Sequence, residues 1–272
     1  MVRRSNGDIT VVVTCFDSGP WLREAVESAL QQDGGAPQIV VVDDGSTDPE
    51  TKAVLASLPY SVRVVEQDNA GVCAARNRGL AESSTPYVLF LDGDDRLAPN
   101  ALAAMRKPLD ADPGLGFAYG CMRFFGAWDG EMRFPPYDPY KLLYRHIVGL
   151  SALVRREVLE QIGGFDPSFE QYEDWELWVS ALSRGWLGLQ VDAVTIEYRR
   201  HAQSKWHADR KRFRSTVRRL RAKHRSLYRG SKTLARRSGL TARDRLVYRV
   251  YWGLRPIPAR IEQFLYSLHW AH

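Results

Sequence analysis

Apolar positions over roughly the first 120 residues follow two alternating rhythms. Short β-branched runs at Ile9–Phe16, Ile39–Val42, Val62–Val65 and Tyr87–Leu91 read as buried strands. Between them, apolar residues recur at helical spacing. Leu22, Ala25, Val26, Ala29 and Leu30 line one face of a helix over Trp21–Gln32, and Thr51–Ser57 and Gly71–Ala81 also read as helices. Pro99 opens another helix to about Leu109, in the first-turn position where a missing N–H costs nothing. Strands and helices in alternation predict α/β units around a mainly parallel, Rossmann-like sheet with helices on its faces.

The middle of the chain is less regular. Phe117–Phe125 reads as a strand, Gly126–Pro139 as a loop, and Tyr140–Val148 and Arg155–Ile162 as helices. Phe169–Arg184 reads as a helix whose start carries Glu170, Glu173, Asp174 and Glu176, and Leu187–Tyr198 returns to strand. From Arg210 to Arg237 the pattern predicts a long basic helix or a helix pair. Arg243–His272 alternates aromatics and arginines around Pro256-Ile257-Pro258. The expected division is an α/β domain over residues 1–200 and a basic, aromatic-rich helical extension over 201–272.

Composition narrows the classes. With 272 residues, 44% hydrophobic and 26% charged, the chain is ordinary for a globular protein rather than a disordered one. It lacks the run of ~18 apolar residues that a membrane span needs. The start passes from a short polar lead into Val11-Val12-Val13 without a secretory apolar region, so a cytoplasmic location is the default expectation. Cys15, Cys73 and Cys121 are widely spaced, which favours neither a disulfide framework nor a thiolate metal site.

The net charge of +6 is an average over unlike parts. Residues 1–198 carry −12, residues 199–237 carry +15 and residues 238–272 carry +3. Phe213, Val217 and Leu220 form a narrow apolar stripe among the arginines. Such a helix suits an anionic membrane surface, making the protein peripheral on the inner face of the cell membrane. Docking on the acidic body, a homo-oligomer interface and an acidic peptide are the alternatives to that surface. Basic charge without a recognised binding fold is poor support for nucleic acid, and no nucleic-acid partner is expected.

Candidate chemistry lies where strands end, because ligands of open parallel sheets bind beyond the carboxyl ends of the strands. Asp43-Asp44-Gly45-Ser46-Thr47-Asp48 follows the second strand. Helix capping accounts for Asp48 but leaves Asp43 and Asp44 without a task. Asp92-Gly93-Asp94-Asp95 follows the fourth. Three carboxylates so close repel one another unless a positive group neutralises them, and a D-x-D loop at a strand end suits a hard divalent ion shared with substrate phosphates. A capping turn needs only one Asp. The chain has neither G-x-G-x-x-G after the first strand nor G-x-x-x-x-G-K-[ST], so dinucleotide and P-loop readings lose their main support.

Five stretches then amount to a resemblance: VVVTCFDSGPWLREAVESALQQ, IVVVDDGSTDPET, NAGVCAARNRGL, VLFLDGDDRLAPNAL and GGFDPSFEQYEDWELWVSALSRG. In order and spacing they resemble the glycosyltransferase family 2 enzymes of the GT-A fold, over roughly residues 8–200. The resemblance implies that Thr14 and Phe16 contact the donor's base. Asp17 stands where that family most often has Asn. Asp43 and Asp44 match the pair whose carboxylate accepts from a uracil or thymine N–H, and Gly71, Arg76 and Asn77 match the segment that closes over the nucleotide. Asp92, Gly93 and Asp94 match the metal and ribose loop, with Asp95 following. Glu173-Asp174 matches the pair beside the acceptor, with Asp174 as catalytic base. By the same resemblance His201 is a candidate third metal ligand, though a lone His is more often structural. Dipole complementarity at a helix start is the plain alternative for Glu173 and Asp174.

The implied activity is inverting and metal-dependent, with Mg²⁺ or Mn²⁺ neutralising the leaving diphosphate. A sugar would move from a nucleoside diphosphate donor, UDP-sugar first and dTDP-sugar next, to a hydroxyl of a glycan or lipid-linked acceptor in cell-surface glycan assembly. Peptide glycosylation, a catalytically silent scaffold and nucleotidyl transfer are the alternatives. Trp178 is expected in the core, with Trp175 open between core and sugar platform. His207 and His224 are expected as solvated helix positions.

Overall fold

The computed structural model describes residues 6–169, 171–201 and 210–249. Strands β1 (Ile9–Cys15), β2 (Gln38–Asp43), β3 (Val62–Glu66) and β4 (Tyr87–Asp92) are parallel and lie in the order β3-β2-β1-β4. Helices α1 (Trp21–Leu30), α2 (Pro49–Ala56) and α3 (Val72–Ala81) make the crossovers. The expected apolar face of α1 is the buried one, through Leu22, Ala25, Val26 and Ala29. β1 is buried at every position, as a strand covered on both faces must be. Helix α3 lies close on β1, and a Cβ on Gly79 would collide with the Val12 side chain.

The sheet continues through strands that reverse direction. Beyond β4 come β8 (Leu153–Arg155), β6 (Leu115–Gly126), β9 (Leu187–Arg200) and β5 (Arg96–Leu97), while β7 (Gly130–Met132) hangs from β6. β8 is antiparallel to both neighbours, and β6 runs parallel to β9. Helix α4 (Ala101–Ala111) packs on β6 and β9. The register sets Thr14 beside Asp92 and Cys15 beside Asp43, so the acidic loops after β2 and β4 flank the end of β1. This is the edge where strand order reverses and a crevice opens.

Several expectations need correction. β5, β7 and β8 are two or three residues long, too short to show a periodicity. The helix expected over Tyr140–Val148 shrinks to α5 (Pro139–Leu142), capped by Asp138, whose carboxylate accepts from the amides of Tyr140 and Lys141 at 2.8 and 3.0 Å. Beyond it Leu143, Tyr144, Ile147 and Val148 are buried in irregular chain, so their apolar pattern marks core rather than helix. Arg155 closes β8, and helix α6 (Arg156–Ile162) starts one residue later. Helix α7 (Glu173–Ser183) begins four residues after its expected start, because Tyr172 takes the left-handed conformation at φ 60° and ends any helix before it.

The basic segment divides into α8 (Arg210–Lys223), α9 (Arg225–Arg229), α10 (Ser231–Arg237) and α11 (Ala242–Val247), with breaks at His224 and Gly230. It packs on the acidic body. Leu220 is fully buried, and the Tyr228 hydroxyl donates to Leu143 O at 2.7 Å. Glu176 is 1% exposed, and its Oε1 meets Ser180 Oγ at 2.6 Å, Lys223 Nζ at 2.8 Å and His224 Nε2 at 3.0 Å. Burial works against the ionised Glu176, but these partners outweigh it and hold its carboxyl below the usual range. His224 is therefore buried against a carboxylate, not solvated as expected; a buried charge needs its partners. His207, the Phe213 side chain and the aromatic end around Pro256-Ile257-Pro258 lie outside the described residues. Among the described residues no helix is long and apolar enough to cross a membrane.

Candidate active site

The loops after β1 and β2 are stapled together by their own polar groups. Asp17 takes the left-handed conformation at φ 48°, which Asp and Asn tolerate best among non-glycine residues. Its Oδ1 accepts from the amides of Thr47 and Asp48 at 2.8 and 2.9 Å, and its own amide donates to Ser46 Oγ at 3.0 Å. Thr14 is nearly buried and Phe16 is 52% exposed, so the two expected base contacts differ in reach: Phe16 stands at the rim. Asp48 caps α2 as expected, accepting from Thr51 N at 2.8 Å.

Asp43 and Asp44 both point inward. Asp43 is fully buried, taking hydrogen bonds from Ser46 N at 3.0 Å, from the Ser46 hydroxyl, and from Lys52 Nζ at 2.9 Å. Burial opposes its charge, yet Ser46 and Lys52 bring its carboxyl below the ordinary range. Asp44 fixes the loop before α3: Oδ1 accepts from Gln67 Nε2 and Ala70 N, both at 2.8 Å, and Oδ2 from Gly71 N at 2.9 Å. Gly71 starts α3 at φ 88°. Asp44 Oδ2 thus carries one hydrogen bond where a carboxylate oxygen can accept two.

The D-x-D loop turns tightly against β1. Gly93 N donates to Thr14 O at 2.9 Å, and a Cβ on Gly93 would meet that same oxygen at 3.0 Å. The ligand atoms of Asp92, Asp94 and Asp95 lie within 4.8 Å of one another. Burial, with Asp92 close by, pushes the Asp94 carboxyl up against the hydrogen bond from His201. Burial with Asp94 and Asp92 pushes Asp95 well above the carboxylate range. A set of oxygen donors this crowded and this poorly compensated fits a hard divalent cation. His201 Nε2 sits 2.9 Å from Asp94 Oδ2, with its ring 4.4 Å from that of Trp21, so it stands beside the carboxylate group rather than within it. Arg199 ties β9 to the same loop: its amide donates to Asp95 Oδ1 at 2.8 Å and its Nε to Asp94 O at 2.9 Å.

Arg76 joins the two halves of the site. It is 3% exposed, with Nη2 2.8 Å from Asp92 Oδ1 and Nη1 2.7 Å from Glu173 Oε1, and it lies over the Phe165 ring at 5.2 Å. It is a strut between the D-x-D loop and the start of α7, not a group offered to the crevice. Asn77 is likewise internal, exchanging hydrogen bonds with the Phe165 backbone at 2.8 Å in each direction. Glu173 pairs with Arg76 through Oε1, whereas Asp174 is engaged through both of its oxygens. Asp174 Oδ1 accepts from Trp175 N at 2.8 Å, and Oδ2 lies 2.8 Å from His146 Nε2. Burial raises the Asp174 carboxyl, but His146 and then Arg76 lower it further, and it ends below its ordinary value.

His146 was invisible in the sequence, where it sits in Tyr144-Arg145-His146 with no motif around it. Trp178 is core, as expected. Trp175 is core as well: it is fully buried, and its Nε1 donates to Leu142 O at 2.7 Å, which removes the sugar-platform option.

Relatives and solved structures match the same architecture. Glycosyltransferase GlyA of Streptococcus pneumoniae is 31% identical over 170 residues, 61% of this chain and 22% of that protein. Succinoglycan biosynthesis protein ExoO of Rhizobium meliloti is 39% identical over 106 residues, 38% of this chain and 30% of that protein. The chain thus spans less than a third of either relative. S. aureus TarS, solved in complex with UDP-GlcNAc, superposes with a TM-score of 0.62 at 16% identity, over 90% of this chain and 71% of that one. Mannosyltransferase PcManGT of Pyrobaculum calidifontis, solved with GDP-Man and Mn²⁺, gives 0.59 at 22% identity, over 90% and 69%. These likenesses show the GT-A fold expected from the sequence. The profile of glycosyl transferase family 2 matches residues 10–163, more than half of the chain, and with the D-x-D loop and the Glu173-Asp174 pair at one crevice the chain belongs to that family.

Proposed function

We propose that the protein is an inverting, metal-dependent glycosyltransferase. It moves a sugar from a nucleoside diphosphate donor, with UDP-sugar favoured, to a hydroxyl of a glycan or lipid-linked acceptor in cell-surface glycan assembly. The observation that carries this reading is the Arg76 strut, which brings the D-x-D carboxylates and the Glu173-Asp174 pair to one site. A UDP-GlcNAc complex in one structural neighbour and GDP-Man with Mn²⁺ in another support a nucleotide-sugar donor and a divalent ion. Asp92 and Asp94 would hold Mg²⁺ or Mn²⁺ with the donor's phosphates, with His201 next to Asp94. When bound, that ion neutralises charge on the diphosphate as a Lewis acid.

The chain's own residues then have separate tasks. Phe16 and Thr14 border the base at the end of β1, and Asp44 holds residues 67–71 and Gly71 in place beside it. Asp174 takes the proton of the acceptor hydroxyl as its oxygen bonds to the anomeric carbon. The bond from that carbon to the phosphate oxygen breaks with its electron pair on the leaving diphosphate, and the configuration inverts. Exposed Arg218, Arg225, Arg229, Lys232, Arg236 and Arg237 on α8–α10 support an anionic lipid surface near the acceptor.

A thermal-shift screen of UDP-, dTDP- and GDP-sugars with Mn²⁺ tests the donor assignment. The uridine compounds should raise the melting temperature most, since a ligand at about 100 times its Kd adds about 2.7 kcal/mol to the native state. Chelation should cancel the shift. A response to no nucleotide would instead favour the silent scaffold.

A further inference from the structure

His146, which the family resemblance does not assign, lies beside the Glu173-Asp174 pair. It comes from the irregular chain after α5, is 28% exposed in its side chain, and lies against the first turn of α7. Its ring stacks on Trp175 at 6.5 Å and 28°, and meets Tyr172 edge-on at 6.1 Å and 88°. Nε2 lies 2.8 Å from Asp174 Oδ2 as an ion pair, without hydrogen-bond geometry. The charged groups around this pair are Glu173 and Asp174 of α7 on one side and Arg76 of α3 on the other.

We propose that His146 is a positioning residue for Asp174: its imidazolium pairs with that carboxylate, fixes its orientation and keeps it ionised to receive the acceptor's proton. This rests on the transferase reading above. Asp174 is only 14% exposed in its side chain, and without a cationic partner burial would favour its protonated form, which cannot act as a base. The pairing weakens the base in the ground state. Transfer is still feasible, because the hydroxyl becomes acidic only as its oxygen bonds to the anomeric carbon. Burial alone would lower the His146 pKa, but Asp174 and Glu173 raise it above the ordinary histidine value, the direction that favours the charged pair.

Two measurements on the full chain test this. The first follows the His146 ring by NMR through a pH titration and needs no substrate. Its midpoint should lie above 6.5 in the wild type and fall in Asp174→Asn; the same midpoint in both proteins would overturn the pairing. The second compares wild type with His146→Gln in sugar transfer. The variant should lose roughly 10-fold or more in kcat at neutral pH, with donor KM unchanged, as expected for an aid to general-base catalysis. Activity is lost as pH falls through the base's pKa, so removing the cation should move the acidic limb of the kcat profile up by about one pH unit. An unmoved limb with unchanged kcat would overturn the proposal. If His146→Gln does not fold, the Asp174→Asn titration decides. If the wild type transfers from no sugar nucleotide, the activity reading fails, and the titration still decides the pairing.

Discussion

Asp174→Asn should lower kcat by about 10³-fold, near the middle of the range for general-base catalysis, while UDP affinity stays within about twofold of wild type. Asparagine is isosteric and keeps the hydrogen bond from Trp175 N, but it cannot take a proton. In barrier terms the loss is about 4 kcal/mol. The separation of effects matters, because Asp174 stands on α7 while the donor loops stand at the ends of β1, β2 and β4. Single-turnover transfer kinetics with nucleotide titration on the same preparations would measure both quantities. Retained turnover in Asp174→Asn would move the base elsewhere, and Glu173, held by Arg76 at 2.7 Å, would be the next carboxylate to test.

Asp94→Ala should weaken UDP binding in the presence of Mn²⁺ by roughly 100-fold, about 2.8 kcal/mol, and leave the residual binding insensitive to the metal. Calorimetric titration with and without chelator reads this directly. The ligand-free variant should melt no lower than wild type, because it removes one of three carboxylates whose ligand atoms lie within 4.8 Å. An Asp94 that only stabilised the fold through His201, 2.9 Å away, would behave in the opposite way: lower melting temperature, unchanged metal-dependent affinity.

The parts of the molecule that could be read from the sequence are those in which one local pattern decides the outcome. β1 to β4 and α1 to α3 are long enough for periodicity to show, and Asp48 caps α2 with the hydrogen bond its position implies. The acidic loops could be placed because a parallel sheet puts the ends of its strands at one edge. Tertiary placement decided the rest. β8, three residues long, takes its identity from the gap between β4 and β6. Tyr172 sets the start of α7 through a backbone angle that its side chain does not announce.

The site divides in the same way. Residues whose task is set by their own loop, such as Gly93 and Asp94, could be named in advance. Arg76 could be placed beside the nucleotide segment, but its task depends on Asp92 and on Glu173, which lies 97 positions along the chain. His146 has no sequence signal, since its only distinguishing feature is a carboxylate that folding brings within 2.8 Å. The basic segment shows the effect most plainly. Its +15 charge left a membrane surface, an acidic partner and docking on the acidic body open, and Lys223, paired with buried Glu176 beside His224, shows that part of that charge holds α8 on α7.

The most direct test of metal-dependent transfer is the release of UDP from a UDP-sugar by the wild-type protein, with water as the acceptor, in Mn²⁺ and then in chelator. Slow release is expected with Mn²⁺, abolished by chelation, restored when Mn²⁺ is returned, and lost in Asp94→Ala. Release that continues unchanged in chelator would contradict the role assigned to the Asp92-Asp94 loop.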